Sequence, residues 1–381
     1  MRKKVLVIAM LDSVHLARWL HQFIDQPIDF ILFPSSPHRH IHMQLKILLI
    51  NQNLATFKIC CGMKQLALPL TVLDLLVGNR IRGKLIRILI NRSKLKFDVI
   101  HAHETQHAGY LTEYALRNSK LKPKLFLSIW GSDLYWFKQF KRHRLRIADV
   151  LAITNQLIIE CRRDIPLAND LGYMGQEPLL SIASGGFNNE TLKQVSDTLK
   201  PSERKIILVK GYMGFVGRAD IALEVIYEIR AKLHEYTIVV YSTDLKSRSK
   251  IRQLRRNSSL NIISHKKHTI DYQGMISLFC SARIHIGVSA SDGMPGSLRE
   301  AMVSGCFPIQ TDSSCANEWI EDGQTGFIFS LNDRDKLKHS ILKSISDDIL
   351  VDNAALENQL MIKKHLNNVT SQGDLIDLYT Y

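Results

Sequence analysis

The sequence predicts an α/β protein built as two doubly wound, Rossmann-like halves facing across a cleft. Three observations carry this. Short apolar runs alternate with longer stretches of helical periodicity. The runs are rich in Val, Ile and Leu and do not alternate with polar residues, as parallel strands covered on both faces require. The alternation stops at a polar stretch, SGGFNNETLKQVSDTLKPSERK (184–205), and then restarts, and 381 residues suit two domains of ordinary size.

In the first half, strands are expected at Val5–Met10, Ile28–Phe33, Phe97–His101, Leu125–Ile129, Val150–Thr154 and Leu179–Ile182. Helices fall between them, as at His15–Phe23 and Gly109–Asn118. In the second half, strands are expected at Ile206–Lys210, Thr237–Tyr241, Asn261–Ser264, Ile284–Val288, Phe307–Gln310 and Phe327–Phe329. Helices are expected at Ala219–Leu233, Tyr272–Ser281 and Gly296–Ser304. The boundaries follow as 1–187 for the first domain, 188–204 for a linker, 205–365 for the second domain, and 366–381 for a segment returning to the first. Ligands of such sheets bind beyond the carboxyl ends of the strands.

Composition excludes several classes. Hydrophobic residues make up 45% of the chain, too many for a disordered protein. No run approaches the roughly 18–20 apolar residues of a membrane span. The start, MRKKVLVIAMLDS, imitates a signal peptide, but Asp12 stops its apolar run and no small-residue cleavage site follows. The six cysteines show no metal-site spacing and read as reduced thiols, which points to the cytoplasm.

Lys and Arg number 50 against 36 Asp and Glu, a net charge of +14. Residues 80–96 carry seven of these cations and no acid, with Leu85, Ile86, Leu89 and Ile90 at helical spacing. Arg82, Lys84 and Arg87 are offset from that apolar stripe. Such a helix suits an anionic membrane surface or, equally, a solvated face of a basic protein. Runs at 138–146 and 246–256 are similar. Nucleic acid is not expected as a partner, because no helix-turn-helix, zinc-finger or RNP-like pattern accompanies the charge.

The chemistry concentrates in residues 284–326. A strand runs into the loop SASDGMPGS, then the helix SLREAMVSG, then a second strand. The loop Gly293-Met294-Pro295-Gly296-Ser297 presents backbone N–H groups, Pro295 excepted, at a helix N-terminus, which favours anionic or hydroxyl-rich ligands. Asp292 and Glu300 stand eight residues apart, and carboxylates accept hydrogen bonds from sugar hydroxyls. On these grounds alone, a Gly-rich turn closing a βα unit is the better reading.

The stretch DGMPGSLREAMVSGCFP resembles the donor signature of retaining glycosyltransferases of family 4, with the GT-B fold, as found in bacterial polysaccharide and lipopolysaccharide synthesis. The later EDGQTGF resembles that family's G-x-T-G turn. The resemblance implies ribose binding by Glu300 and donor-sugar binding by Asp292, which stands where the family has Glu. It implies a nucleotide-diphosphate-sugar as substrate, with no metal and no other cofactor. ILVKGYMGFVGRADIALEVI (207–226) resembles the family's diphosphate loop, which gives Lys210 and Arg218 to the phosphates in a longer K…GR spacing. FDVIHAHETQHAGYL (97–111) resembles a family strand ending in His and implies a role for His103. In FLSIWGSDLY (126–135), Trp130 occupies the position where relatives carry His, so His103 or Asp133 takes over that role. Asp12, Ser13 and His15 follow the first strand, where relatives bring a loop against phosphates and acceptor. The expected catalytic residues are therefore His103, Asp133 and Asp292. The expected activity is sugar transfer to a glycan or lipid-linked glycan, with the protein on the inner face of the plasma membrane. The alternative is a non-catalytic subunit that binds a nucleotide-sugar or glycan.

Overall fold

The computed structural model describes residues 2–36, 40–51, 54–60, 62–77, 80–91, 96–181, 187, 189–196, 198–368 and 372–380. The chain divides into two units, one formed by Met1–Gly185 with Asn368–Tyr381 and the other by Gly186–Asn367.

The first unit holds seven strands: β1 (Lys3–Ala9), β2 (Ile28–Pro34), β3 (Thr56–Ile59), β4 (Val99–His103), β5 (Lys124–Ile129), β6 (Gln156–Ile159) and β7 (Leu179–Leu180). They pair in the order β3-β2-β1-β4-β5-β6-β7, all parallel. Val5 lies opposite Phe30 on one side and Val99 on the other. Leu6 and Ile8 face one apolar cluster, Val5 and Val7 the other, so both sheet faces are covered. This is why the strands read as unbroken apolar runs.

Two differences from the sequence reading have simple causes. Residues 150–154 are not a strand. Ile147, Val150 and Leu151 recur at helical spacing and close the helix Lys141–Leu151, and the strand follows at Gln156–Ile159. Strand β3 was not expected. It is a four-residue edge strand, TFKI, with an exposed Lys58, and carries too little apolar signal to read.

The second unit repeats the plan with β8 (Ile206–Lys210), β9 (Thr237–Thr243), β10 (Asn261–Lys266), β11 (Ile284–Gly287), β12 (Phe307–Thr311) and β13 (Phe327–Phe329). Their order is β10-β9-β8-β11-β12-β13, again parallel. In each sheet the winding reverses once, between β1 and β4 and between β8 and β11. The loops leaving those neighbouring strands part, and a crevice opens at their carboxyl ends. The stretch 188–204, expected as a linker, contains the helix Asn189–Ser196 and belongs to the second unit. The buried Arg204 guanidinium holds it there, donating to the carbonyls of Leu199, Ala282 and Ser304.

The last helix, Gln372–Thr380, is part of the first unit. Tyr379 is buried among Phe23, Phe30, Phe126 and His101. Its hydroxyl accepts from Trp19 Nε1 at 3.0 Å and meets His101 Nδ1 at 2.5 Å. Replacing Tyr379 by Ala empties an aromatic site and strands both polar partners. We expect a loss of roughly 3–5 kcal/mol from the first unit, read as a lower denaturant midpoint by fluorescence of Trp19, Trp130 and Trp136.

Candidate active site

In the second unit the crevice between β8 and β11 gathers the charged residues. Lys210 ends β8, and its Nζ lies 3.4 Å from Asp292 Oδ2. The other Asp292 oxygen accepts the N–H of Gly293 at 3.0 Å, which fixes the carboxylate at the mouth of the loop. The segment 211–218 folds back over this point. Arg218 N donates to Val288 O at 3.0 Å and Ala290 N to Val216 O at 2.7 Å, around an antiparallel bridge between Gly217 and Ser289. A Cβ on Gly217 would lie 2.2 Å from the Tyr212 carbonyl oxygen, so the turn requires glycine there. The Arg218 guanidinium donates to Gly217 O at 2.8 Å, and among the described residues no carboxylate pairs with it.

From β12, the Thr311 and Ser313 hydroxyls both donate to Ser289 O, and Cys315 N donates to Gly293 O at 3.0 Å. Met294 and Pro295 are buried, and the helix Gly296–Val303 starts directly after them. Gly296 has open space where a Cβ would stand. Glu300 sits half-buried one turn into that helix. Beneath the loop, Tyr241 OH and His285 Nε2 are 3.0 Å apart and fully buried. Burial, with the charge of Lys210, pulls the His285 imidazole down to about 3, so it stays neutral. Tyr241 and His285 were missed from the sequence, where they read as ordinary strand residues.

In the first unit the crevice lies between β1 and β4. Ser13 caps the helix Val14–His21, accepting from His15 N and Leu16 N at 3.2 and 3.5 Å. Asp12 and His15 flank it, half-buried. The His15 ring stands 5.0 Å from that of Trp130, and Trp130 stands 6.2 Å from His103. His103 is buried, and neither of its ring nitrogens has a partner. Burial, then the nearby His15, lowers it to about 3, so the imidazole is neutral. The buried hydroxyls of Ser35, Ser36 and Thr105 are likewise unpartnered. A buried polar atom without a partner is costly unless a polar ligand completes it.

Asp133, expected among the catalytic residues, has another task. It is buried, and its two oxygens accept Thr105 N at 2.8 Å and Trp130 N at 2.6 Å. It clamps the loops after β4 and β5 together and so positions His103 and Trp130. Glu104, which the sequence did not single out, supports the same corner. It adopts φ 72°, and its buried carboxylate accepts the N–H groups of His107 and Ala108 at 2.8 and 2.6 Å. That left-handed φ is a strained choice for a residue with a side chain, held by these bonds. The expected surface cation Arg82 is corrected too. It is only 4% exposed, paired with Asp74 at 2.5 Å and donating to Ser35 O at 2.6 Å, because Asp74 also caps the start of its helix. Lys84 is exposed and Arg87 half-buried.

Two family models match the chain, Glycosyl transferases group 1 over residues 204–347 and Glycosyl transferase 4-like over residues 76–159. The chain belongs to the glycosyltransferases, with the GT-B fold. Solved structures agree on the fold of this glycosyltransferase. HepE from Anabaena, crystallised with UDP and glucose, is 14% identical, with both chains fully covered and a TM-score of 0.70. A UDP-forming α,α-trehalose-phosphate synthase from Burkholderia xenovorans, in complex with glucose-6-phosphate, is 12% identical over 99% of each chain at 0.69. A sucrose-phosphate synthase from Thermosynechococcus elongatus is 12% identical over 100% of this chain and 98% of its own, at 0.65. A comparison with curated proteins finds no match.

The Asp133 clamp gives the transferase a pH signature. Burial, reinforced by the charge of Glu104, raises its carboxyl to about 7 from 3.8. A raised carboxyl stabilises the fold most below pH 3.8, and that contribution is lost as pH rises to 7. Asp133→Asn cannot titrate and gives up one backbone acceptor. We expect the stability advantage of the wild type over this variant to shrink steadily from pH 4 to pH 7 and then level off, measured by denaturant unfolding across that range.

Proposed function

We propose that this glycosyltransferase moves a sugar from a nucleotide-diphosphate-sugar to a hydroxyl of a glycan or lipid-linked glycan, with retention at the anomeric carbon, in cell-surface polysaccharide synthesis. One observation supports this most. Lys210 and Arg218 come from one stretch of sequence, Asp292, the loop 293–297 and Glu300 from another some eighty residues on, and the two meet at the winding reversal of the second sheet.

In this reading Glu300 holds the ribose hydroxyls and Asp292, with the loop before Ser297, holds the donor sugar. The bond from the anomeric carbon to the diphosphate oxygen breaks as the acceptor oxygen bonds to that carbon on the same face. The acceptor proton passes to the departing phosphate oxygen. Negative charge grows on the diphosphate, and Lys210, Arg218 and the helix N-terminus at Gly296 are assigned to stabilise it. No metal is assigned. The first unit takes the acceptor: the unpartnered His103, Ser35, Ser36 and Thr105 suit hydroxyl groups, and Trp130 with His15 offers flat ring faces. Asp133 positions this set.

HepE is crystallised with UDP and with UDP-glucose, which makes UDP the first nucleotide to test. A nucleotide that binds only the folded chain raises its melting midpoint. We expect millimolar UDP to raise the midpoint of the wild type and to leave Glu300→Ala and Arg218→Ala unmoved. Removing one charge-stabilising donor costs about 100–1,000-fold in turnover, so Lys210→Ala and Arg218→Ala should lower kcat on that scale. An unmoved wild-type midpoint across all common nucleotide diphosphates would overturn the reading.

A further inference from the structure

The helix Met63–Val77 carries an anomaly that the site does not explain. Only Met63, Leu70 and Asp74 of its described side chains are buried. Leu66, Leu68, Val72, Leu73, Leu75, Leu76 and Val77 are exposed, Leu75 by 81% and Leu76 by 78%. Seven large apolar side chains on one fifteen-residue helix exceed the scattered surface leucines of an ordinary monomer. No helix among the described residues is long and apolar enough to cross a membrane.

The surrounding charge identifies the occupant. From residue 30 to residue 97 the sequence has eleven Lys and Arg but one acid, Asp74. That acid is 2% exposed and spent on Arg82. The next helix, Arg80–Asn91, packs against the apolar one and presents Lys84, with Arg87 half-exposed. The apolar face is therefore flanked by a helix bearing Lys84 and Arg87, neither of which is in an ion pair among the described residues. A second copy docked here by two-fold symmetry would bring the two rims together, like charge on like. An anionic lipid surface satisfies both parts, since acyl chains take the leucines and headgroups take the cations.

We propose that the exposed face of Met63–Val77, rimmed by Lys84 and Arg87, seats this protein on an anionic bilayer. The sequence left the helix at 80–96 open between a membrane surface and a solvated face; the proposal puts the insertion on the preceding helix, with 80–91 as its electrostatic border. The inference rests on this surface alone, independent of the donor assignments above.

Flotation with vesicles tests it. At low salt, wild type should float with phosphatidylcholine vesicles containing 30% phosphatidylglycerol and remain behind with pure phosphatidylcholine. Leu75→Ser/Leu76→Ser should bind at least tenfold more weakly with an unchanged melting midpoint, because both side chains lie in solvent. Lys84→Glu/Arg87→Glu should weaken binding to anionic vesicles and flatten its dependence on salt. A Leu76→Trp variant should shift its emission to the blue on adding anionic vesicles. Wild type that stays off anionic vesicles overturns the proposal. So does a leucine double variant that binds as well as wild type, which would mean purely electrostatic adhesion. A concentration-dependent dimer abolished by the leucine changes, with no vesicle binding, would assign the face to a second copy instead.

Discussion

The antiparallel bridge between Gly217 and Ser289 is the constraint on which the second unit's site depends. At the winding reversal of a doubly wound sheet, the two neighbouring strands send their following loops to opposite faces. Left alone, the loop after β8 and the loop after β11 would separate, and Lys210, Arg218 and Asp292 would have no reason to meet. The bridge, with the Arg218 N–H on Val288 O and the Ala290 N–H on Val216 O, ties the two loops across the reversal. The Thr311 and Ser313 hydroxyls brace the bridge by donating to the Ser289 carbonyl. Backbone hydrogen bonds thus set the positions, and the charged side chains only have to extend from them.

The first unit solves the equivalent problem with buried carboxylates. Asp133 and Glu104 spend their oxygens on backbone N–H groups at the ends of β4 and β5. The outlay is electrostatic, two acidic groups kept close under low exposure. What results is a fixed corner in which His103 and Trp130 are held while their ring nitrogens have no partner among the described residues. In the proposed function, this corner would meet hydroxyl groups with donors and acceptors that are already desolvated.

Much of this was legible in the sequence, and the reasons for the rest are physical. Buried parallel strands announce themselves as apolar runs, so β1, β8 and β11 read almost to the residue. Asp292, Glu300, Lys210 and Arg218 were singled out through the family resemblance, and the structure puts their loops at the carboxyl ends of β8 and β11. Edge strand β3 did not read, since half its residues face solvent. The end of the helix Lys141–Leu151 was mistaken for a strand because three apolar residues in a row look alike in either form. Arg82 read as surface charge because its partner Asp74 lies eight residues away across a helix break, and no local pattern announces such a pair. Tyr241, His285 and Glu104 act through contacts far apart in the chain or through an unusual φ, neither of which has a one-dimensional trace.

Tyr379 has a consequence for how the molecule comes into being. The first unit needs the last helix to fill the space beside Trp19 and His101, yet that helix is separated from the rest of the unit by the whole of Gly186–Asn367. A ribosome delivering this chain from its N-terminus completes the second unit's sequence before it supplies the first unit's final piece. During that interval an aromatic cavity and two buried polar groups stand open in the nascent first unit. The order of synthesis and the order of completion are therefore inverted, and the first half of the chain to be made is the last to be closed.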